Sequence, residues 1–264
     1  MNILRTAHRR GLTAALSIVA LGVALLFVSS HDGDNTSTDA FFVEEMFAQP
    51  VASCIIPAAD DGSFALNGTK LPVGGLTFKV NQNTFPAGLN PLEVHASIAG
   101  SFLTWDSATS KVLFTHGGTT NAIPGSSDGI STIAFKKIKG SAVAVTTGWF
   151  NRKTKLLTEF DVALNTNYSW ATNLLASGDC GGAAGRFDIG NVMTHEAGHA
   201  TGLSDLTPTA SNAQTMFAYV AYGELTKRTP GAGDLKGLAA LYDGGQSSGQ
   251  QSATSTSDFS NRAQ

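Results

Sequence analysis

Two histidines four residues apart flank a glutamate in the run Thr194-His195-Glu196-Ala197-Gly198-His199-Ala200-Thr201-Gly202-Leu203-Ser204-Asp205. On a helix, positions i and i+4 share a face, so His195 and His199 can turn both imidazoles toward one ion. Zinc is the ion such a pair suits: it polarises a water, and the carboxylate of Glu196 takes the proton. That is the chemistry of a metal-dependent peptidase. Asp205 is the first residue beyond the two histidines that can supply a third ligand. A carboxylate that merely ends a helix or fixes a turn is the other reading of Asp205.

The surrounding residues predict the element these groups need. Asp188 is a candidate N-cap, with Phe187 and Val192 placed as a hydrophobic staple across it. Ile189, Val192, Met193 and Ala197 give an apolar side at helical spacing. Gly202 follows His199 by three residues, where the helix must stop and turn back sharply; glycine accepts the left-handed conformation that turn requires. A chance H-E-x-x-H would not bring its own cap and stop. The glycine-rich run Gly181 to Gly185 lacks the spacing of a phosphate-binding loop.

Further back, alternation and apolar runs predict strands at 75–80, 112–115, 131–135, 142–147 and 156–164. A helix is predicted over 90–108, with Leu92, Val94, Ile98, Phe102 and Trp105 on one side, and a last helix over 234–242. These elements make one α+β domain, residues 60–243. Residues 31–59 read as a connecting segment. The tail 244–264, mainly Gly, Ser, Gln and Thr, has almost nothing to bury and is expected to be disordered.

With 42% hydrophobic residues the chain of 264 residues can build a sizeable core, and its net charge of −3 argues against a nucleic-acid partner. Arg5, Arg9 and Arg10 precede an apolar run from Gly11 to Val28, so residues 1–30 are read as a signal peptide or signal anchor. The expected location is outside the cytoplasm, secreted or in the cell envelope, with membrane contact only through that segment if it stays uncleaved. In such a compartment two cysteines pair as a rule, which predicts a disulfide between Cys54 and Cys180. Ser53-Cys54-Ile55-Ile56-Pro57 does not resemble the latency motif of matrix metalloproteinases, and Val51-Ala52-Ser53-Cys54 lies too far past the apolar run for a lipoprotein box.

The order strand, helix, four strands, metal helix, methionine turn and final helix resembles the metzincin metallopeptidases, most of all exported microbial members of the matrixin branch. The resemblance spans about 180 residues. It is carried by His195 to Asp205, by Thr215-Met216-Phe217-Ala218-Tyr219 and by Gly233 to Tyr242, with weaker echoes at Thr104-Trp105 and Glu159-Phe160-Asp161-Val162. It implies a twisted five-stranded mixed sheet, mostly parallel, with one antiparallel edge strand bordering the cleft, here 142–147.

By motif position the resemblance makes His195 and His199 zinc ligands, Glu196 the catalytic base and Met216 the residue of the Met-turn beneath the metal. Asp205 stands where most matrixins have histidine, a variation that some metzincins share. Tyr219 and Tyr222 fall in the wall of the substrate pocket, and Glu159 and Asp161 in a segment that carries calcium and structural-zinc ligands in matrixins, which allows Ca²⁺ beside the expected Zn²⁺; exposed strand residues are the equal alternative for those two acids. His95 and His116 have no partners at ligand spacing. The expected activity is that of a monomeric zinc endopeptidase acting on proteins or peptides. The rival is a non-catalytic exported binding module with a structural zinc; a structural site has no use for Glu196 and would close its fourth position.

Overall fold

The computed structural model describes residues 39–49, 59–173 and 181–244. The N-terminal apolar segment, Cys54, Cys180 and the tail from residue 245 lie outside that set. Among the described residues no helix is long and apolar enough to cross a membrane.

In chain order the first half holds β1 (Asp39–Ala48), β2 (Ala65–Leu66), β3 (Leu76–Val80), α1 (Pro91–Asp106), β4 (Phe114–Thr119), β5 (Ser131–Lys136), β6 (Ala142–Asn151) and β7 (Leu157–Asn165). The second half adds β8 (Trp170–Ala171), β9 (Phe187–Asp188), α2 (Ile189–Thr201), β10 (Leu203–Ser204), β11 (Tyr219–Val220) and α3 (Ala232–Tyr242). The fold is α+β, built on one mixed sheet in the order β11-β1-β6-β7-β5-β3-β4. β4, β3, β5 and β7 run parallel, β6 is antiparallel to β7, and β1 is antiparallel to β6.

The sheet therefore has seven strands where five were expected, and β6 is not an edge. Residues 39–48, read from sequence as part of a connector, form β1 and cover it. Its ten residues defeat the alternation test. Phe41, Phe42, Val43, Met46 and Phe47 put apolar groups on both faces, while Glu44 sits at a buried position. Only pairing with β6 and β11, both distant in sequence, makes this segment a strand.

Helix α1 starts where Asn90 accepts the Leu92 amide at 3.0 Å and Pro91 supplies a pre-set φ. Val94, Ile98, Phe102 and Trp105 are buried; Leu92 is 78% exposed, because it lies two residues before Val94, about 200° round the helix. Phe102 stacks on Phe78 of β3 at 4.0 Å and meets Phe114 of β4 and Phe160 of β7 edge-on or tilted. Small residues on the other side of α1 let α2 come close. Ser101 Oγ donates to Gly190 O (3.1 Å) and Trp105 Nε1 to Thr194 O (2.8 Å), one residue before His195.

Register shows that both helices cover the same sheet face. Gly148 of β6 pairs with Phe160, which touches α1, and Thr146, two residues away and so on the same face, bonds to α2. Opposite Gly148 and Thr146 across the other edge of β6 stand Phe42 and Glu44 of β1. The inward side of β1 thus points at α2.

Candidate metal centre

Asp188 caps α2 as its spacing predicts, accepting the Asn191 amide at 2.7 Å, and both its oxygens are clasped by Arg228 at 2.7 and 2.8 Å. At the other end Gly202 takes φ 110°, and a Cβ there would come within 2.4 Å of the Thr69 carbonyl oxygen. Only glycine fits both the turn and the approach. The chain then reverses into β10, which pairs with β2, and delivers Asp205 back to the helix.

His195, His199 and Asp205 converge. Their ligand atoms lie within 4.8 Å of one another, the one such grouping of acid, His or Cys side chains among the described residues. His195 Nε2 and His199 Nε2 are 3.0 Å apart, and Asp205 Oδ1 is 3.2 and 3.6 Å from them. Four ligands held tetrahedrally at zinc bond lengths of about 2.0–2.1 Å would be about 3.3 Å apart, so the triangle has the size of one face of a zinc site.

The protons make the argument stronger than the distances. His195 Nδ1 faces Thr215 O at 2.7 Å and His199 Nδ1 faces Leu203 O at 3.1 Å. A carbonyl only accepts, so each Nδ1 carries the hydrogen and each Nε2 is a bare lone pair. Full burial holds both imidazoles neutral, with His195 lowered to about 3 and His199 to about 4. Asp205 Oδ1 is buried with no hydrogen-bond donor, and so is Glu196 Oε1. Several acceptors meet with no donor from another residue among them, an arrangement that suits a cation. Burial raises Asp205 to about 6, and raises Glu196 well above the ordinary carboxyl range, against the pull of its hydrogen bond from Thr146.

Glu196 is held on one side only. Thr146 Oγ1 donates to its Oε2 at 2.5 Å, leaving Oε1 free for another partner. Beneath the helix, Met216 packs so close to Gly198 that a Cβ there would meet its sulfur at 2.3 Å and Trp105 at 2.9 Å. The turn carrying Met216 is fixed by Asp234, whose carboxylate accepts the amides of Thr215, Met216 and Gly231 at 2.6, 3.2 and 2.7 Å. It is also fixed by Leu206, which exchanges backbone bonds with Met216 and Ala218 at 2.8 and 3.0 Å.

The remaining candidates fall elsewhere. Tyr219 lies in β11, paired with Phe47 of β1, and Tyr222 stacks on Phe187 at 4.4 Å, before the start of α2. Glu159 and Asp161 are buried, not exposed strand residues, and their oxygens are already engaged. Glu159 accepts from the amides of Asp128 and Gly129 and from Ser127 Oγ; Asp161 accepts from the amides of Gly125 and Thr132. They tie down a loop instead of gathering toward a cation. His95 and His116 stand with rings 6.2 Å apart, against Phe85 and Phe78.

Sequence reasoning missed three contributors: Thr146, Glu44 and Asp234. Glu44 is buried, accepts from Ser204 Oγ at 2.9 Å and is raised to about 8 by burial and by Asp205. Only Asp234 left a local signal, three residues past Gly231 as the N3 acid of α3. Comparison with known proteins gives no matching family model and no matching curated protein.

Proposed function

We propose that this chain is an exported, monomeric zinc endopeptidase of the matrixin-like metzincin type that cleaves peptide bonds in proteins or peptides. One observation carries the reading: two bare imidazole nitrogens and an orphaned carboxylate oxygen converge at zinc-site spacing beside a buried carboxylate with one free oxygen.

His195, His199 and Asp205 would hold the metal, leaving a fourth position open. Zinc bound there supplies Lewis acidity, which brings a water's pKa toward neutrality and stabilises negative charge on the attacked carbonyl oxygen. Glu196 accepts the water's proton at Oε1 and returns it to the leaving amine. Thr146 fixes the other oxygen, so the carboxylate need not reorient between the two transfers. Thr215 and Leu203, through their carbonyls, keep the imidazoles in the tautomer that presents Nε2. Met216 and Trp105, filling the space at Gly198, set the height of the helix beneath the site. One aspartate in place of a third imidazole reduces the site's charge from +2 to +1; carboxylate-containing zinc sites still hydrolyse peptides.

The test is casein digestion by the purified chain with zinc, with chelator, and with zinc restored. Cleavage that follows the metal supports the reading; a zinc-loaded chain inert toward a broad peptide library both with the segment through residue 48 in place and with it removed would contradict it and favour a binding module.

A further inference from the structure

β1 lies where an extended peptide would have to lie to reach Glu196. Its backbone runs antiparallel along β6 from Asp39 opposite Asn151 to Met46 opposite Ala144. It then runs parallel with β11, Phe47 facing Tyr219 and Ala48 facing Val220, with the Phe47 and Gln49 amides donating to Ala218 O and Val220 O, each at 2.9 Å. β6 carries Thr146, which holds the base, and β11 lies just past the turn of Met216. A main chain clasped between these two segments passes across the metal centre.

The side chains agree. Ala40, Phe42, Glu44 and Met46 point inward and are buried. Phe42 occupies the space left by Gly148, where a Cβ would come within 2.3 Å of the ring. Between Phe42 and Met46 stands Glu44, 2% exposed, opposite Thr146 and bonded to Ser204, the neighbour of Asp205. A strand whose sole task was to extend the sheet would be more stable with an apolar residue at that inward position, because burying a carboxylate on a single hydrogen bond is unfavourable. Opposite a cation the same carboxylate is favoured. β1 moreover precedes every other described element in the chain, so a single break after it separates it from all of them.

We infer that β1 is a self-bound peptide that fills the groove of the metal centre in the substrate's place, and that protein substrates gain the site only when β1 is displaced. The inference rests on the peptidase reading above. It also specifies a substrate class: extended segments with large apolar side chains two residues to either side of the position facing the metal, as Phe42 and Met46 flank Glu44.

The experiment uses the full chain with a recognition sequence for a site-specific protease inserted between Pro50 and Val51. After cutting, the N-terminal piece is removed, and the remaining protein is followed by circular dichroism, bound zinc, casein cleavage and anisotropy of a labelled decapeptide of residues 39–48. The expected results are an intact fold, casein cleavage at least tenfold faster than in the uncut chain, and rebinding of the decapeptide, which inhibits cleavage and is displaced by acetohydroxamate. Uncut Phe42→Ala should gain activity in the same direction.

The failures separate. Equal casein cleavage before and after loss of the piece overturns the inference and leaves the peptidase reading standing. Decapeptide rebinding that acetohydroxamate reverses, with no cleavage in either form, supports occupancy of the groove and overturns the peptidase reading. Unfolding on removal of the piece overturns the inference, making β1 an integral strand.

Discussion

Two pairs of buried acids behave in opposite ways. Glu159 and Asp161 on β7 are nearly inaccessible, yet between them they accept four backbone amides and one hydroxyl. Glu196 and Asp205, on and just beyond α2, each keep one buried oxygen with no donor, and the imidazoles beside Asp205 offer it only lone pairs. The first pair has its acceptor oxygens filled by protein hydrogen bonds and so ties down a loop. The second is left incomplete by the protein and so has room for a cation. Burial alone does not mark a site; the balance of donors and acceptors around the buried charge does.

The largest expected effect falls on the second pair. Glu196→Gln should keep the fold and the metal but lower casein cleavage by about 10²–10⁴-fold, the usual worth of a positioned base. Steady-state rates at equal zinc content check this, and a loss below tenfold would mean that another group accepts the proton.

The metal-free site should show its imbalance as a pH dependence. Asp205 near 6 and Glu44 near 8 are raised above their ordinary values, chiefly by burial, so the folded apoprotein holds protons that the unfolded chain releases. The contribution of these two carboxyls to stability is greatest below the ordinary carboxyl range and is lost as pH rises through 6 to 8, while His195 and His199, held at about 3 and 4, work the other way only below the ordinary imidazole value of about 6.5. Thermal melts of chelated protein should drop between about pH 6.5 and pH 8.5, with a much smaller drop once zinc is added. A flat profile without metal would say that these carboxylates are better served than the geometry indicates.

Glu159→Ala should do the reverse of a site mutation. It leaves two backbone amides of the 125–130 loop without their acceptor, a destabilisation of about 2–4 kcal/mol, while zinc content and rate per folded molecule stay as in wild type. Denaturant melts read the first and metal analysis the second. Smallest of all, substituting Tyr219, which lies on β11 beside β1, should shift cleavage preference without changing zinc content; Tyr222, stacked on Phe187 before α2, should shift it less. Cleavage profiles on a peptide library rank the two.

The same contrast explains what could be read from the sequence. The cap at Asp188, the stop at Gly202 and the return to Asp205 are local: each depends on residues within a few positions, and each stands where the spacing puts it. The five strands from β3 to β7 and helix α1 were legible for the same reason, with the edges of β4 and the exposure of Leu92 misjudged. β1 was not legible, because its partners are about a hundred and about 170 residues away and its buried Glu44 breaks the apolar pattern. Nor was the fate of Glu159 and Asp161, which is decided by a loop some thirty residues earlier that happens to aim its amides at them. Thr146 looked like any strand threonine until α2 packed above it. The predicted Cys54–Cys180 bridge falls outside the described residues.

Bound zinc per chain after exhaustive dialysis tests the central claim most directly, compared across wild type, Asp205→Ala, His199→Ala and Glu159→Ala. Loss of groups that only orient metal ligands weakens affinity about 10–100-fold, so loss of a ligand itself should exceed that. The account predicts about one zinc in wild type and Glu159→Ala, and almost none in Asp205→Ala and His199→Ala. Zinc held as tightly by Asp205→Ala as by wild type would contradict it, because the third ligand would then lie elsewhere.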